Sequence, residues 1–347
     1  MTSRRTKKKE CILEIINIKD DHGRTTLIWA AMNGHQQLIR QLLSVPGIDV
    51  NVKDNAKCTA LIWAVSYEHS DIVRLLLATP SIEVNAKDNF NMSALIYAAS
   101  GGYHEIVQLL LTKEDIDVNT QDSDGYSSLI WAAKEGHIKM VQLLLGFKPQ
   151  HVQPGIAVNA VNNDGTSALI CAAFRGYTEI VQALLAVPGI DVNAKDFYRI
   201  SSLMWAASNG HTETVQALLA IPGIEVNAKD DNGYSALIYA ASNGHTEIVQ
   251  ALLAKPGIEV NAKNNQNASA LNLANNEEIK HHLRGSEARE KTGCISNRCT
   301  LSGGKSRKYK NKKSINKSRR IRNYRNKKTF KIKNIKNKKR NKTYKRK

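Results

Sequence analysis

The residues most able to do chemistry are five histidines in one recurring setting, five cysteines, and a C-terminal run of Lys and Arg. His35, His137, His211 and His245 each follow a Gly, and His69 follows Glu68. Imidazole can bind a metal or carry a proton near neutral pH. Such a site needs several converging donors, and each of these histidines stands in its own repeat without a clustered carboxylate or thiol. They are expected to cap or pack the start of a helix. Cys11, Cys58, Cys171, Cys294 and Cys299 are odd in number and scattered, which suits ordinary thiols in a reducing compartment better than a disulfide framework or a zinc site. The stretch SGGKS at 302–306 lacks the first Gly of a phosphate loop, because Cys299 stands there. No nucleophile, base and orienting group fall at usable spacing, so no enzyme activity, cofactor or metal is expected.

Charge divides the chain. Lys and Arg outnumber Asp and Glu by 50 to 31, but residues 286–347 alone hold 26 basic and 2 acidic residues. A basic arm covers 1–10, and residues 11–285 carry excess acid. The segment 286–347 has too few apolar residues to build a core and is expected to be a disordered basic tail. No stretch approaches the roughly 20 apolar residues of a membrane-spanning helix, and the N-terminus lacks the apolar core of a signal peptide. An intracellular protein of cytoplasm or nucleus, without a membrane span, is expected.

The elements that must position any site are set by a repeat. Leu27, Leu61, Leu95, Leu129, Leu169, Leu203, Leu237 and Leu271 recur every 34 residues except for one step of 40, and an Asn after Val or Ile keeps the same beat. Within one unit, Ser235 is placed as an N-cap. Leu237, Ala240, Ala241 and Gly244 then mark one stripe of a short helix, and Ile248, Val249, Leu252 and Leu253 mark a second. Pro256 and Gly257 end the second helix, and a hairpin-like loop leads to the next unit. Fixing 34 residues costs on the order of 50 kcal/mol of conformational entropy. One helix pair buries too little to offset that, so units must stack and share cores. The fold expected is an all-α solenoid. Turn positions hold Gly23, Gly125, Gly165 and Gly233, with Asn91 and Asn267 as substitutes; Lys57 and Arg199 carry a Cβ penalty there. Glu68 replaces the inter-helix Gly of repeat two, which is expected to be the softest internal repeat. The extra residues lie in 146–157, on the loop entering repeat five, and are read as a neutral insertion. The truncated ends are expected to cap the array.

The recurring pattern D-x-D-G-x-[ST]-[AS]-L-I-[WY]-A-A-x-x-G-H-x-x-[IM]-V-Q-x-L-L, closing on G-I-[DE]-V-N, resembles the ankyrin repeat over residues 12 to about 284. The resemblance implies about eight L-shaped units in 11–285, counting truncated caps, each an antiparallel helix pair with a projecting hairpin beside a concave inner-helix face. It also implies protein binding. The family's usual Thr-Pro-Leu-His is here of the type Thr25-Thr26-Leu27-Ile28, so apolar packing by Ile28 and its equivalents is expected where the His would hydrogen-bond.

A helical projection places Tyr239, Ser242 and Asn243 opposite the Leu–Ala stripe, toward the groove. The Tyr239 position reads Trp29, Trp63, Tyr97, Trp131, Cys171, Trp205 and Tyr239. These rings either pack between repeats or anchor a partner. The partner-binding residues expected are those the repeat itself does not need: Tyr67, Phe90, Met92, Tyr126, Phe174, Arg175, Phe197, Tyr198 and Tyr234, with the stretch from Phe174 to Tyr198 as the main patch. In the tail, Lys308, Lys310, Arg319, Arg320, Arg322 and Arg325 can neutralise phosphates while Tyr309 and Tyr324 stack on unpaired bases. The tail also resembles the basic endings of giant DNA virus proteins, and the array resembles the repeats found there and in some protists. The leading reading is a monomeric, noncatalytic scaffold or adaptor that grips a protein partner through the concave face and hairpin tips, its tail serving nuclear targeting or nonspecific RNA or DNA attachment. The alternative makes nucleic-acid binding by the tail primary and the repeats a tether.

Overall fold

The computed structural model describes residues 16–148 and 155–292. The arm 1–10, residues 149–154 of the insertion, Cys11, Cys294, Cys299 and the tail beyond 292 lie outside them. Inner helices run Thr26–Met32, Ala60–Ser66, Ala94–Gly101, Ser128–Glu135, Ala168–Arg175, Ser202–Asn209, Ala236–Asn243 and Ala270–Leu273. The outer helices that follow are Gln36–Leu43, Ser70–Leu77, His104–Leu110, Ile138–Leu145, Thr178–Leu185, Thr212–Leu219, Thr246–Leu253 and Glu277–Thr292. The last inner helix is reduced to one turn, whereas the last outer helix continues past residue 285.

Each inner helix starts where its N-cap says it should. In repeats one to seven the Thr or Ser hydroxyl, from Thr25 to Ser235, accepts the backbone N–H three residues on, satisfying a donor the helix leaves open. The residue so capped is Ile28 or its equivalent. That side chain is buried in repeats one to seven, as Met204 in repeat six, so apolar packing does replace the family's His. The Ala pairs, such as Ala30 and Ala31 or Ala240 and Ala241, are fully buried. Their small side chains let neighbouring inner helices approach closely. Outer helices contribute Ile106, Val107 and Leu110, or their equivalents, to the same continuous core.

Three devices hold the stack in register. Asparagine staples join adjacent loops: Asn193 Nδ2 donates to Gly223 O at 2.9 Å and its Oδ1 accepts from Glu225 N at 2.9 Å, and Asn51, Asn85, Asn159 and Asn227 repeat the pattern. Asn119 reaches Gly155 O and Ala157 N, so the chain re-enters the stack in register after the insertion. Second, a histidine ring packs against the inter-helix Gly of the preceding repeat. A Cβ on Gly210, whose φ is +80°, would stand 2.6 Å from His245 Cε1, and His245 Nε2 lies 3.3 Å from Ser208 O. These histidines therefore pack and bridge; they make no side-chain cap bond. Third, the hairpin tips are hydrogen-bonded in a row, as Ser123 N to Phe90 O, Phe197 N to Asp164 O, and Asp231 N to Tyr198 O. Single antiparallel bridges such as Lys195 with Ser201 close five of the loops. Lys57, Glu68, Asn91, Arg199 and Asn267 all hold positive φ between 55° and 60°, as the turn positions required.

Candidate protein-binding face

In repeats two, three, four, six and seven one carboxylate positions the tip and the groove side of the inner helix. In repeat six, Asp196 Oδ1 accepts from Tyr198 N at 3.0 Å and Ile200 N at 2.9 Å, which curls the tip. Its Oδ2 accepts from Trp205 Nε1 at 3.0 Å. The same latch joins Asp54 to Trp63, Asp88 to the Tyr97 hydroxyl, Asp122 to Trp131, and Asp230 to the Tyr239 hydroxyl. Burial raises the carboxyls of Asp122 and Asp196 despite these donors. It also raises the hydroxyls of Tyr97 and Tyr239, each reinforced by the Asp it donates to.

Two repeats abandon both halves of the latch together. Repeat five pairs Asn162 with Cys171, and repeat eight pairs Asn264 with Leu273. There the amide Oδ1 still accepts the two tip N–H groups, but Nδ2 is buried without a hydrogen-bond partner. Repeat one breaks it differently: Arg24 pairs with Asp20 at 2.7 Å, and this contact lowers the Asp20 carboxyl to about 2.

The latch explains where the expected contact residues lie. Phe197 (70% exposed), Phe90 (64%), Tyr198 (53%) and Tyr67 (47%) stand in solvent, and Arg175 is exposed, with its guanidinium 5.8 Å from the Phe174 ring. Tyr126 requires a correction, being only 7% exposed. It follows the tip proper, and Asp122 Oδ1 draws in its backbone N–H at 2.8 Å. The ring folds back onto Trp131, 5.0 Å between centroids. Met92 and Tyr234 occupy the equivalent position and are half-buried, Tyr234 lying 5.1 Å from Tyr239. Phe174 is half-buried edge-on to Trp205 at 4.9 Å. The aromatic file is graded between the two expected roles: Trp29 is exposed, Trp63, Tyr97, Trp131 and Trp205 are half-buried, and Cys171 and Tyr239 are buried.

Sequence reasoning missed the latch, whose signal was the fixed nine-residue interval from Asp to ring and the paired exchange to Asn in repeats five and eight. Among the described residues no group of three or more His, Cys, Asp or Glu could hold a metal ion, and no helix is long and apolar enough to cross a membrane. The tail residues from Lys308 to Arg325 lie outside the described residues.

Stacked helix pairs with a row of projecting tips define a solenoid repeat protein, an architecture that presents an extended surface. The chain belongs to the ankyrin repeat family: a family model for ankyrin repeats in three copies matches residues 4–88, 95–196 and 200–287, and one for ankyrin repeats in many copies matches 68–111. Among solved structures, the crystal structure of an ankyrin repeat domain from Acinetobacter baumannii AYE is 32% identical, with a TM-score of 0.50 over 56% of this chain and 96% of that one. No curated protein matches the chain. Ankyrin repeats are in general protein–protein interaction modules.

Proposed function

We propose that the array is a noncatalytic scaffold or adaptor that holds a protein partner on its concave inner-helix face and hairpin tips. The observation that carries this reading is the set of large exposed rings at the tips, Phe90, Phe197 and Tyr198, in a row whose backbone is locked from repeat to repeat. Large exposed aromatics presented on a rigid frame contribute area at little entropic cost. Arg199 supports the same reading. It holds a φ of 58° at a turn position where Gly would avoid a penalty of roughly 1–2 kcal/mol, and its side chain is exposed beside those rings.

Capture from cell lysate by the full chain, compared with a Phe90→Ala, Phe197→Ala, Tyr198→Ala variant, tests the face. Loss of a captured protein from the variant is expected, and an unchanged set of partners would refute it. A second reading, attachment to RNA or DNA through the tail, is favoured by 23 Lys or Arg within residues 305–347 interleaved with Tyr309, Tyr324, Phe330 and Tyr344. Deleting 305–347 should abolish nucleic-acid retention that weakens with salt; unaltered retention would refute this role. Nuclear targeting by the same segment predicts that the deletion redistributes the protein to the cytoplasm.

A further inference from the structure

Three features set the inner-helix face of repeats one and two apart from the rest of the stack. The first is Trp29. Whereas Trp63, Trp131 and Trp205 donate Nε1 to the aspartate of their own repeat, Asp20 pairs with Arg24, and Trp29 Nε1 has no hydrogen-bond partner among the described residues. The Trp29 ring, 4.9 Å from that of His35, is 44% exposed. The second is Tyr67, an exposed ring stacked 5.9 Å from Trp63, at a position that holds Asn, Gly, Glu or Arg in the other repeats from one to seven. The third is Glu68. Its counterparts from Gly34 to Gly244 are all Gly, yet Glu68 is held at a φ of 60°, is exposed, and forms no ion pair among the described residues. A side chain in left-handed backbone strains a turn that Gly would satisfy, and strain of this kind gathers at functional positions.

We propose that repeats one and two bind a proline-rich segment of a partner protein in the polyproline II conformation, its prolines on Trp29 and Trp63 and an adjoining Arg on Tyr67 and Glu68. This rests on the reading of the concave face as the protein-binding surface and names the chemistry of what it holds. A proline segment offers apolar rings to the aromatic faces, and its backbone carbonyls have no internal hydrogen bonds, so one of them can accept the unpartnered indole N–H of Trp29. Trp29 and Trp63 occupy equivalent positions on adjacent inner helices. Such helices pack about 8–10 Å apart and one turn of polyproline II advances about 9 Å, so successive turns of one segment meet successive repeats. The Glu68 carboxylate calls for a cation, and the neighbouring Tyr67 ring favours the planar guanidinium of Arg, which stacks on a ring while its fork meets a carboxylate. The chain has no proline after Pro256, so its own basic tail is not such a segment.

The test uses the full chain and a synthetic peptide with Pro at every third position of a Ser/Ala background and an Arg at each end. One control peptide has its prolines replaced by Ala, and another has each Arg replaced by Glu. Binding is followed by tryptophan fluorescence and calorimetry. The Pro/Arg peptide is expected to bind about tenfold more tightly than either control. Trp29→Ala should weaken it about tenfold. Glu68→Gly restores the residue of the other repeats and relieves the φ of 60°. It should raise the midpoint of denaturant unfolding and yet weaken the Pro/Arg peptide about tenfold, a combination that a merely structural role for Glu68 would not give. Glu213→Gln removes the same charge from an exposed outer-helix position and should stay within about twofold of the unaltered chain. Equal affinity for the peptide and its controls, equal effects of Glu68→Gly and Glu213→Gln on binding, or no binding overturns the proposal. A chain that captures a protein partner but ignores all these peptides would overturn the proline-rich class and leave concave-face protein binding standing.

Discussion

Asp196→Asn replaces one oxygen by a nitrogen and tests whether the latch positions the tip that bears Phe197 and Tyr198. The amide Oδ1 can keep both tip bonds, at 3.0 Å to Tyr198 N and 2.9 Å to Ile200 N. Nδ2 then faces Trp205 Nε1 across the former 3.0 Å contact, donor against donor. The lost hydrogen bond to a charged group is worth about 1.5–3 kcal/mol. Relief of the carboxylate's burial, seen in its raised carboxyl, offsets part of that, leaving a net loss on the order of 1 kcal/mol. Trp205→Phe alone should cost about 2 kcal/mol, because it strands the Asp196 Oδ2 and removes part of the indole packing. The double variant, like Asn162 with Cys171, sets an amide opposite a side chain without an N–H donor and should cost less than the sum by about 1 kcal/mol or more. Guanidinium denaturation at constant slope measures each midpoint; additivity within about 0.5 kcal/mol would refute the latch. Because burial raises the Asp196 carboxyl above its ordinary 3.8, its contribution is fully present below that value and is lost as pH rises through the folded value. The penalty of Asp196→Asn should therefore be largest in acid and shrink toward neutrality.

Other perturbations follow from the same contacts. Asn193→Ala removes both staple bonds to the next loop and should lower stability by about 1–2 kcal/mol in denaturant unfolding. Gly210→Ala forces a side chain into φ +80° and against His245, costing roughly 1–2 kcal/mol or more, whereas Arg199→Gly relieves φ 58° and should stabilise by about 1 kcal/mol while weakening partner capture. Burial and their aspartates raise the Tyr97 and Tyr239 hydroxyls above the ordinary value of 10.0. The folded array therefore holds those protons longer than the unfolded chain and should lose stability as pH rises above 10.0, which alkaline unfolding followed by circular dichroism checks.

The backbone plan was legible because its signals are local and eight times repeated. Capping hydroxyls, Leu–Ala stripes and turn residues each act within a few residues, and even the strained positions Lys57 and Arg199 could be read from what their counterparts hold. Exposure at the candidate face was legible only in part. Phe197 and Tyr198 occupy the tip and stand in solvent, whereas Tyr126, further along the loop from its aspartate, turns back onto Trp131, and no hydropathy pattern distinguishes the two. Phe174 lies against Trp205 of the following repeat, a contact set by stacking rather than by its own neighbours in sequence.

The sequence by itself determined the period, the two helices of each unit, the positive-φ turns and the division of charge between array and tail, since each depends on residue type and short spacing alone. Only the tertiary structure decided which aspartate meets which ring, where an asparagine staples two loops, and which aromatic rings stand in solvent. Those depend on distances closed when one repeat is laid on the next.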